Sequence, residues 1–244
     1  MSGDLESTVD CCVFETLSVK FDALHRAKNA LQVVCCWSAL ALLSGIVLAR
    51  PKKDKNAIPT EERILVAAEI AFGECQYADA NLANIAAAAG IRRPSLLYHF
   101  GTKEALYGAV VLRSFSSLAE SLMHLMDQPG SFEERLEGLM TGYLDYLENQ
   151  TAFSGLVLRG LMDRREPVPS ILETGLVPVL ELVENWIRTE GSEVVSQDID
   201  IRSAILQVTV TALVRDSAGP LGLTMWGPNP DTMGLLRRIF FQKS

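Results

Sequence analysis

Besides Thr102 at a helix start, the chain carries six side chains between residues 92 and 103 that can donate hydrogen bonds: Arg92, Arg93, Ser95, Tyr98, His99 and Lys103. Two adjacent guanidinium groups suit base edges or phosphates, and arginine paired bidentate with guanine is the commonest specific contact to DNA. Hydroxyl, imidazole and ammonium groups suit phosphate oxygens, which fix register, while base contacts set specificity. The plainer reading makes the arginines solvated residues at a helix start. His99 has no partner near it in sequence that would make it a catalytic base or a metal ligand. Thr60 and Asn81 stand where helices begin, so each is a cap that could also touch DNA.

The elements that must position these groups are short. Residues 81–89 are rich in alanine and start with Asp79 and Asn81, either of which can cap a helix. Gly90 suits a tight bend, and Pro94 falls where a first-turn proline is tolerated because its missing amide has no partner to lose. A new helix begins at Thr102 and runs to Met126. Upstream, Pro59-Thr60-Glu61-Glu62 predicts a helix capped by Thr60, with Ile64, Ala67, Ala68, Ala71 and Phe72 forming one apolar face. The second short helix cannot bury a core of its own. It is presented, not packed away.

From about Thr60 to Val110 the chain resembles the DNA-binding domain of the tetracycline-repressor-like (TetR/AcrR) family of bacterial transcription regulators. The matching residues are Arg63-Ile64-Leu65, Ala67-Ala68, Phe72, Ile85-Ala86, Ala89-Gly90-Ile91 and the run Tyr98-His99-Phe100-Gly101-Thr102-Lys103-Glu104-Ala105-Leu106. The family usually has glycine at Gln76, threonine at Ala80 and tyrosine at Leu97. Ala80 removes the customary cap of the second helix, which Asp79 or Asn81 could replace. Leu97 removes a hydroxyl that family members aim at a phosphate, leaving more of that role to Tyr98 and His99.

The resemblance implies an all-α fold: a three-helix helix-turn-helix head, then a helical effector-binding and dimerisation domain. The expected division is 1–56 for an N-terminal extension, 57–108 for the head and 109–244 for the body. The implied function is a ligand-responsive regulator, a repressor that binds a palindromic DNA operator as a homodimer and is released by a small apolar effector. Its final two long helices would pair with those of a second copy; intrachain core is the alternative. Leu118, Leu122, Met126, Tyr143, Phe153, Met162 and Trp186 are the residues expected to line an effector pocket, although apolar residues at helical spacing are more often plain core. The effector itself is not written in the sequence.

The formal charge is −8 over 244 residues, which argues against indiscriminate nucleic-acid binding. Residues 50–107 nevertheless hold eight Lys/Arg against seven Asp/Glu, while residues 108–244 hold eleven against eighteen. The basic surplus sits in the proposed reading head. Cysteines occur as Cys11-Cys12, Cys35-Cys36 and Cys75, and with His25, His99 and His124 they have the wrong spacing for a zinc site. They read as reduced thiols. No HExxH, GxxxxGK, GxSxG or strand-borne GxGxxG is present, so neither an enzyme nor a cofactor is expected.

Capping boxes at Ser131–Glu134 and Ser170–Glu173 open two body helices. Further helices are expected over 151–165, 196–218 and 232–241, with a loop at 219–230. Residues 31–49 (LQVVCCWSALALLSGIVLA) hold no charge and are long enough to span a membrane, with Arg50, Lys52, Lys53 and Lys55 following. Three readings stand. The segment is an authentic inner-membrane anchor, an extension upstream of a native start near Val47 or Leu48, or an apolar helix packed on the body. The expected location is the bacterial cytoplasm, or the inner membrane if the anchor is real. With the departures at Ala80 and Leu97, an anchor would favour a tethered helical interaction protein with a degenerate head.

Overall fold

The computed structural model describes residues 58–196, 198–228 and 230–241; residues 31–49 lie outside them, as do four of the five cysteines and His25. Among the described residues there are ten helices and no strand. They are α1 (Thr60–Glu74), α2 (Leu82–Ala88), α3 (Arg93–Phe100), α4 (Lys103–Met126) and α5 (Phe132–Asn149). Then come α6 (Phe153–Met162), α7 (Val168–Glu190), α8 (Ile201–Ser217), α9 (Pro220–Trp226) and α10 (Thr232–Phe240). No helix among the described residues is long and apolar enough to cross a membrane.

α4 is the spine. Thr102 caps it by accepting a hydrogen bond from the Ala105 amide at 3.0 Å, and Glu104 lies at the positive end of its dipole. Leu106, Val110, Phe115, Leu118, Leu122 and Met126 recur at helical spacing and are buried. At its start α4 packs on α1 and α3; farther along it packs on α5 and α7. The Ser131 capping box opens α5, with both reciprocal bonds formed. α8 then closes the body against α5, α6 and α7.

Several local expectations are corrected. Pro59, not Thr60, is the N-cap of α1, and no side-chain cap bond forms there. Thr60 is already inside the helix, so its hydroxyl accepts a long 3.4 Å bond from Arg63 instead. α7 begins at Val168, so Ser170 is no cap, and its hydroxyl donates to Glu166 at 2.8 Å. α6 stops at Met162 because the buried Asp163 carboxylate takes the Arg165 amide at 3.1 Å and turns the chain. Arg165, bonded through its side chain, also holds that carboxyl below its ordinary range. α8 starts at Ile201, capped by Asp200, and the expected loop at 219–230 contains the helix α9.

The end of α1 meets the start of α6 with no side chain between them. A Cβ added at Gly155 would stand 2.2 Å from the Gly73 carbonyl oxygen, and one at Gly73 would stand 2.6 Å from that of Ala152. Backbone cannot step aside as a flexible side chain can. Gly155→Ala is therefore expected to destabilise the fold by ~1–3 kcal/mol despite alanine's better helix propensity. Gly138→Ala in α5, where nothing lies within 4 Å, should instead stabilise by about 1 kcal/mol. Thermal unfolding of the two variants checks this; shifts of the same sign would contradict the close approach.

Candidate nucleic-acid interface

α3 spans 8 residues, so it is about 12 Å long. Only Leu96 is fully buried; Leu97 and Phe100 are partly covered by the core. These three turn one face inward, which leaves Ser95, Tyr98 and His99 exposed on the other, with Arg92 and Arg93 exposed at the helix start. Tyr98 is 89% exposed, with the His99 ring edge-on at 5.7 Å. Burial gives no reason for an aromatic residue there. Every polar group on this face can donate a hydrogen bond, and no carboxylate lies on it.

The turn into α3 is fixed by backbone bonding. After α2, the Gly90 amide donates to the Ala87 carbonyl at 3.0 Å and the Ile91 amide to Ala86 at 2.9 Å. Gly90 has φ +69°, the left-handed value that a residue with a side chain adopts at a cost. Asn81 supplies the cap that Ala80 lacks, accepting the Ala83 amide at 2.8 Å, while Ala80 is buried. Asp79, two residues before the cap, does not take that role. Proline at the second position of α3 holds its first turn in helical geometry.

Two cations are placed in ways their spacing does not foretell. Lys103 does not reach freely outward. Its Nζ donates to the Ala78 carbonyl at 3.0 Å and lies 4.8 Å from the centre of the Tyr77 ring. Burial lowers its pKa from the ordinary lysine value, partly opposed by Cys75 and Asp79. Lys103 thus ties the start of α4 to the turn after α1, and only its remaining N–H groups can meet a phosphate. Arg63, in contrast, is exposed. It bonds Thr60 and lies close enough that a Cβ at Gly90 would stand 3.4 Å from its Nη1. Thr60, half-buried, is thereby brought to the same side as the turn that opens α3. Sequence spacing gives no signal for Arg63, because the approach joins separate helices.

The expected effector residues divide. An apolar cavity of about 150 Å³ lies among α4, α5, α6, α7, α8 and α10, and Leu118, Leu122, Tyr143 and Phe153 line it. Met126, Met162 and Trp186 do not. Met126 is core at the far end of α4, and Met162 is 78% exposed on the last turn of α6. Trp186 packs 5.2 Å from the Phe132 ring, with the Arg135 guanidinium 5.5 Å from its centre. The two polar wall residues are spent on backbone: Tyr143 donates to the Thr209 carbonyl at 3.2 Å, and Thr209 donates to that of Ile205 at 2.8 Å. Burial, with Asp216 adding its charge, pushes the Tyr143 phenol well above its ordinary range.

Residues 64–110 match the family described as bacterial regulatory proteins, tetR family. Over these residues the chain is similar to the tetR family. Among curated proteins the chain is similar to the HTH-type transcriptional activator FasR of Mycolicibacterium smegmatis, 29% identical over 99 residues. That match spans 39% of this chain and 45% of FasR, less than half its length. Among solved structures it resembles the fatty acid degradation regulator FadR of Bacillus halodurans, at 18% identity and TM-score 0.59, covering 73% of this chain and 94% of that one. FadR of Bacillus subtilis, solved with stearoyl-CoA, gives 15% identity and TM-score 0.58 over the same shares, 73% and 94%. At such identities the shared property is the fold, a tetR-type head followed by a helical body.

Asn81→Ala should weaken the tetR-type head by about 1 kcal/mol, because no neighbouring side chain takes over the Ala83 amide. Lys103→Met should also lower the melting temperature, and Tyr77→Leu with it. A melting temperature unmoved by Lys103→Met would show that its contacts carry no weight in the fold and would return it to the role of a pure phosphate ligand.

Proposed function

We propose that this chain is a homodimeric, ligand-controlled DNA-binding transcription regulator, acting in the cytoplasm as a repressor rather than as an enzyme. The observation that carries the reading is α3: a helix whose one fully buried residue is Leu96 and whose outer face holds Arg93, Ser95, Tyr98 and His99, with Arg92 exposed at its cap. The B-DNA major groove, about 12 Å wide, admits such a helix. Residues 57–108 would form the head and 109–244 the body. Arg92 and Arg93 read base edges, while Ser95, Tyr98, His99 and Lys103 hold phosphates, with Thr60 and Asn81 at the flanks.

Self-association is supported by apolar side chains beyond the end of α8. Leu221, Leu223 and Met225 are 60%, 62% and 64% exposed, more than a surface helix in a monomer has reason to show. Pairing through α7 and α8 would set the two heads one helical turn apart, ~34–36 Å. The effector is an apolar molecule, since the cavity wall offers neither a charge nor a spare donor. A long acyl chain, the kind of group carried by the stearoyl-CoA in the B. subtilis FadR structure, fits that chemistry. At about 150 Å³ the cavity is smaller than the ~300–1,000 Å³ of ordinary ligand sites, so such a molecule enters by spreading helices. It favours release only by binding the spread form better.

Selection of bound duplexes from a random pool with the full chain tests the proposal. The expected product is an inverted repeat. Arg93→Ala should weaken binding to it by ~1–3 kcal/mol and relax preference at one position in each half-site. A well-folded dimer that enriches no duplex at low salt would overturn the assignment.

A further inference from the structure

Glu69 is a carboxylate on α1 that is only 7% exposed, and among the described residues its side chain takes its hydrogen bonds from α4. One oxygen accepts from Ser114 Oγ at 2.8 Å and the other from Arg113 Nη1 at 2.6 Å. The second arm of Arg113 reaches Glu62, about two turns earlier on α1, also at 2.6 Å. A charge so buried is tolerated only while paired, so this clamp is either made or broken. It sits directly behind the cavity. The next residue of α4, Phe115, is part of the cavity wall. Its ring packs 5.3 Å from that of Phe153 on α6, also in the wall, and Phe153 packs 5.2 Å from Tyr146 on α5. The Tyr146 hydroxyl then donates to the Ser114 carbonyl at 2.8 Å.

We propose that the Glu69–Arg113–Ser114 clamp is the device that reports the volume of the apolar cavity to the head, through Phe115, Phe153 and Tyr146. This rests on the reading of the cavity as an effector site. α1 is fixed to the body at two places: the clamp on α4, and the backbone contact of Gly73 with Gly155 on α6. Spreading the wall between Phe115 and Phe153 moves those two attachments apart. The Gly73–Gly155 approach leaves α1 and α6 no room to close on one another, so α1 is pushed along when α6 shifts, and the hydrogen bonds of 2.6–2.8 Å that hold it to α4 fail within about an ångström of stretch. The clamp therefore yields first and α1 swings with α6. Glu69, Arg113 and Ser114 are positioning residues: none faces the groove or the cavity.

Spatial continuity is not itself coupling, so the test is a double-mutant cycle that needs no ligand. Val157→Phe puts a ring into the cavity from α6; Leu139→Phe does so from α5 and serves if the first variant melts below the assay temperature. Glu69→Gln keeps the shape and removes the charge. Two readouts are taken on the full chain: hydrogen exchange of the amides of residues 60–74, and affinity for the selected duplex. Filling the cavity alone should speed exchange of α1 and weaken the duplex at least tenfold. In the Glu69→Gln background it should change either readout less than twofold. Equal effects of cavity filling in the two backgrounds, or no effect on α1 exchange in the parent, would overturn the proposal. The exchange readout does not depend on DNA. Absence of any duplex preference with the exchange coupling intact would sink the regulator reading and leave the clamp standing; the reverse pattern would do the opposite.

Discussion

The burial of Leu96 is the constraint on which the rest depends. An eight-residue helix in water is too short to hold itself together, because the cost of nucleating it is spread over so few bonds. α3 persists because one face of a single turn is docked on α2 and the start of α4, and because both its ends are prepared. Gly90 delivers the chain from α2 at the required angle, and Pro94 presets the first turn. Gly101, also at positive φ, releases the chain to Thr102, which caps α4. With so much of the helix committed to no internal contact, its outer face is free to carry Arg92, Arg93, Ser95, Tyr98 and His99.

The same α4 that anchors this helix also walls the cavity, and the two duties fall on neighbouring residues. Leu106 and Val110 belong to the head's floor, Ser114 to the buried clamp, and Phe115, Leu118 and Leu122 to the cavity. A rigid helix of 24 residues cannot shift at one end without consequence at the other. α1 is joined to the body by charge on α4 and by bare backbone on α6, which gives the head two supports of unlike stiffness.

The head was largely legible in the sequence because its signals are local. Capping by Thr102, the glycine turn at Gly90 and the inward face of α1 each follow from residues within one turn of one another. The supports were not legible. Gly73 and Gly155 are far apart in the chain, and nothing near either tells that one covers the other. Glu69 reads as a solvated acid on an amphipathic helix until Arg113 and Ser114 are brought to it. Lys103 reads as a phosphate ligand, yet Tyr77 and the Ala78 carbonyl lie within its reach. Pocket residues were the least legible, for a related reason. Met126, Met162 and Trp186 have the same apolar character as Leu118 and Phe153, and only the packing of six helices decides which of them border empty space.

The central claim is that α3 enters the major groove with its arginine-bearing end toward the bases. Methylation interference at guanine N7, an atom exposed only in that groove, tests it most directly on a bound duplex. The account predicts two patches of interference with centres about 10 base pairs apart, arranged symmetrically, with the Arg93→Ala protein losing sensitivity at one guanine in each. Binding that tolerates N7 methylation throughout the site would contradict it.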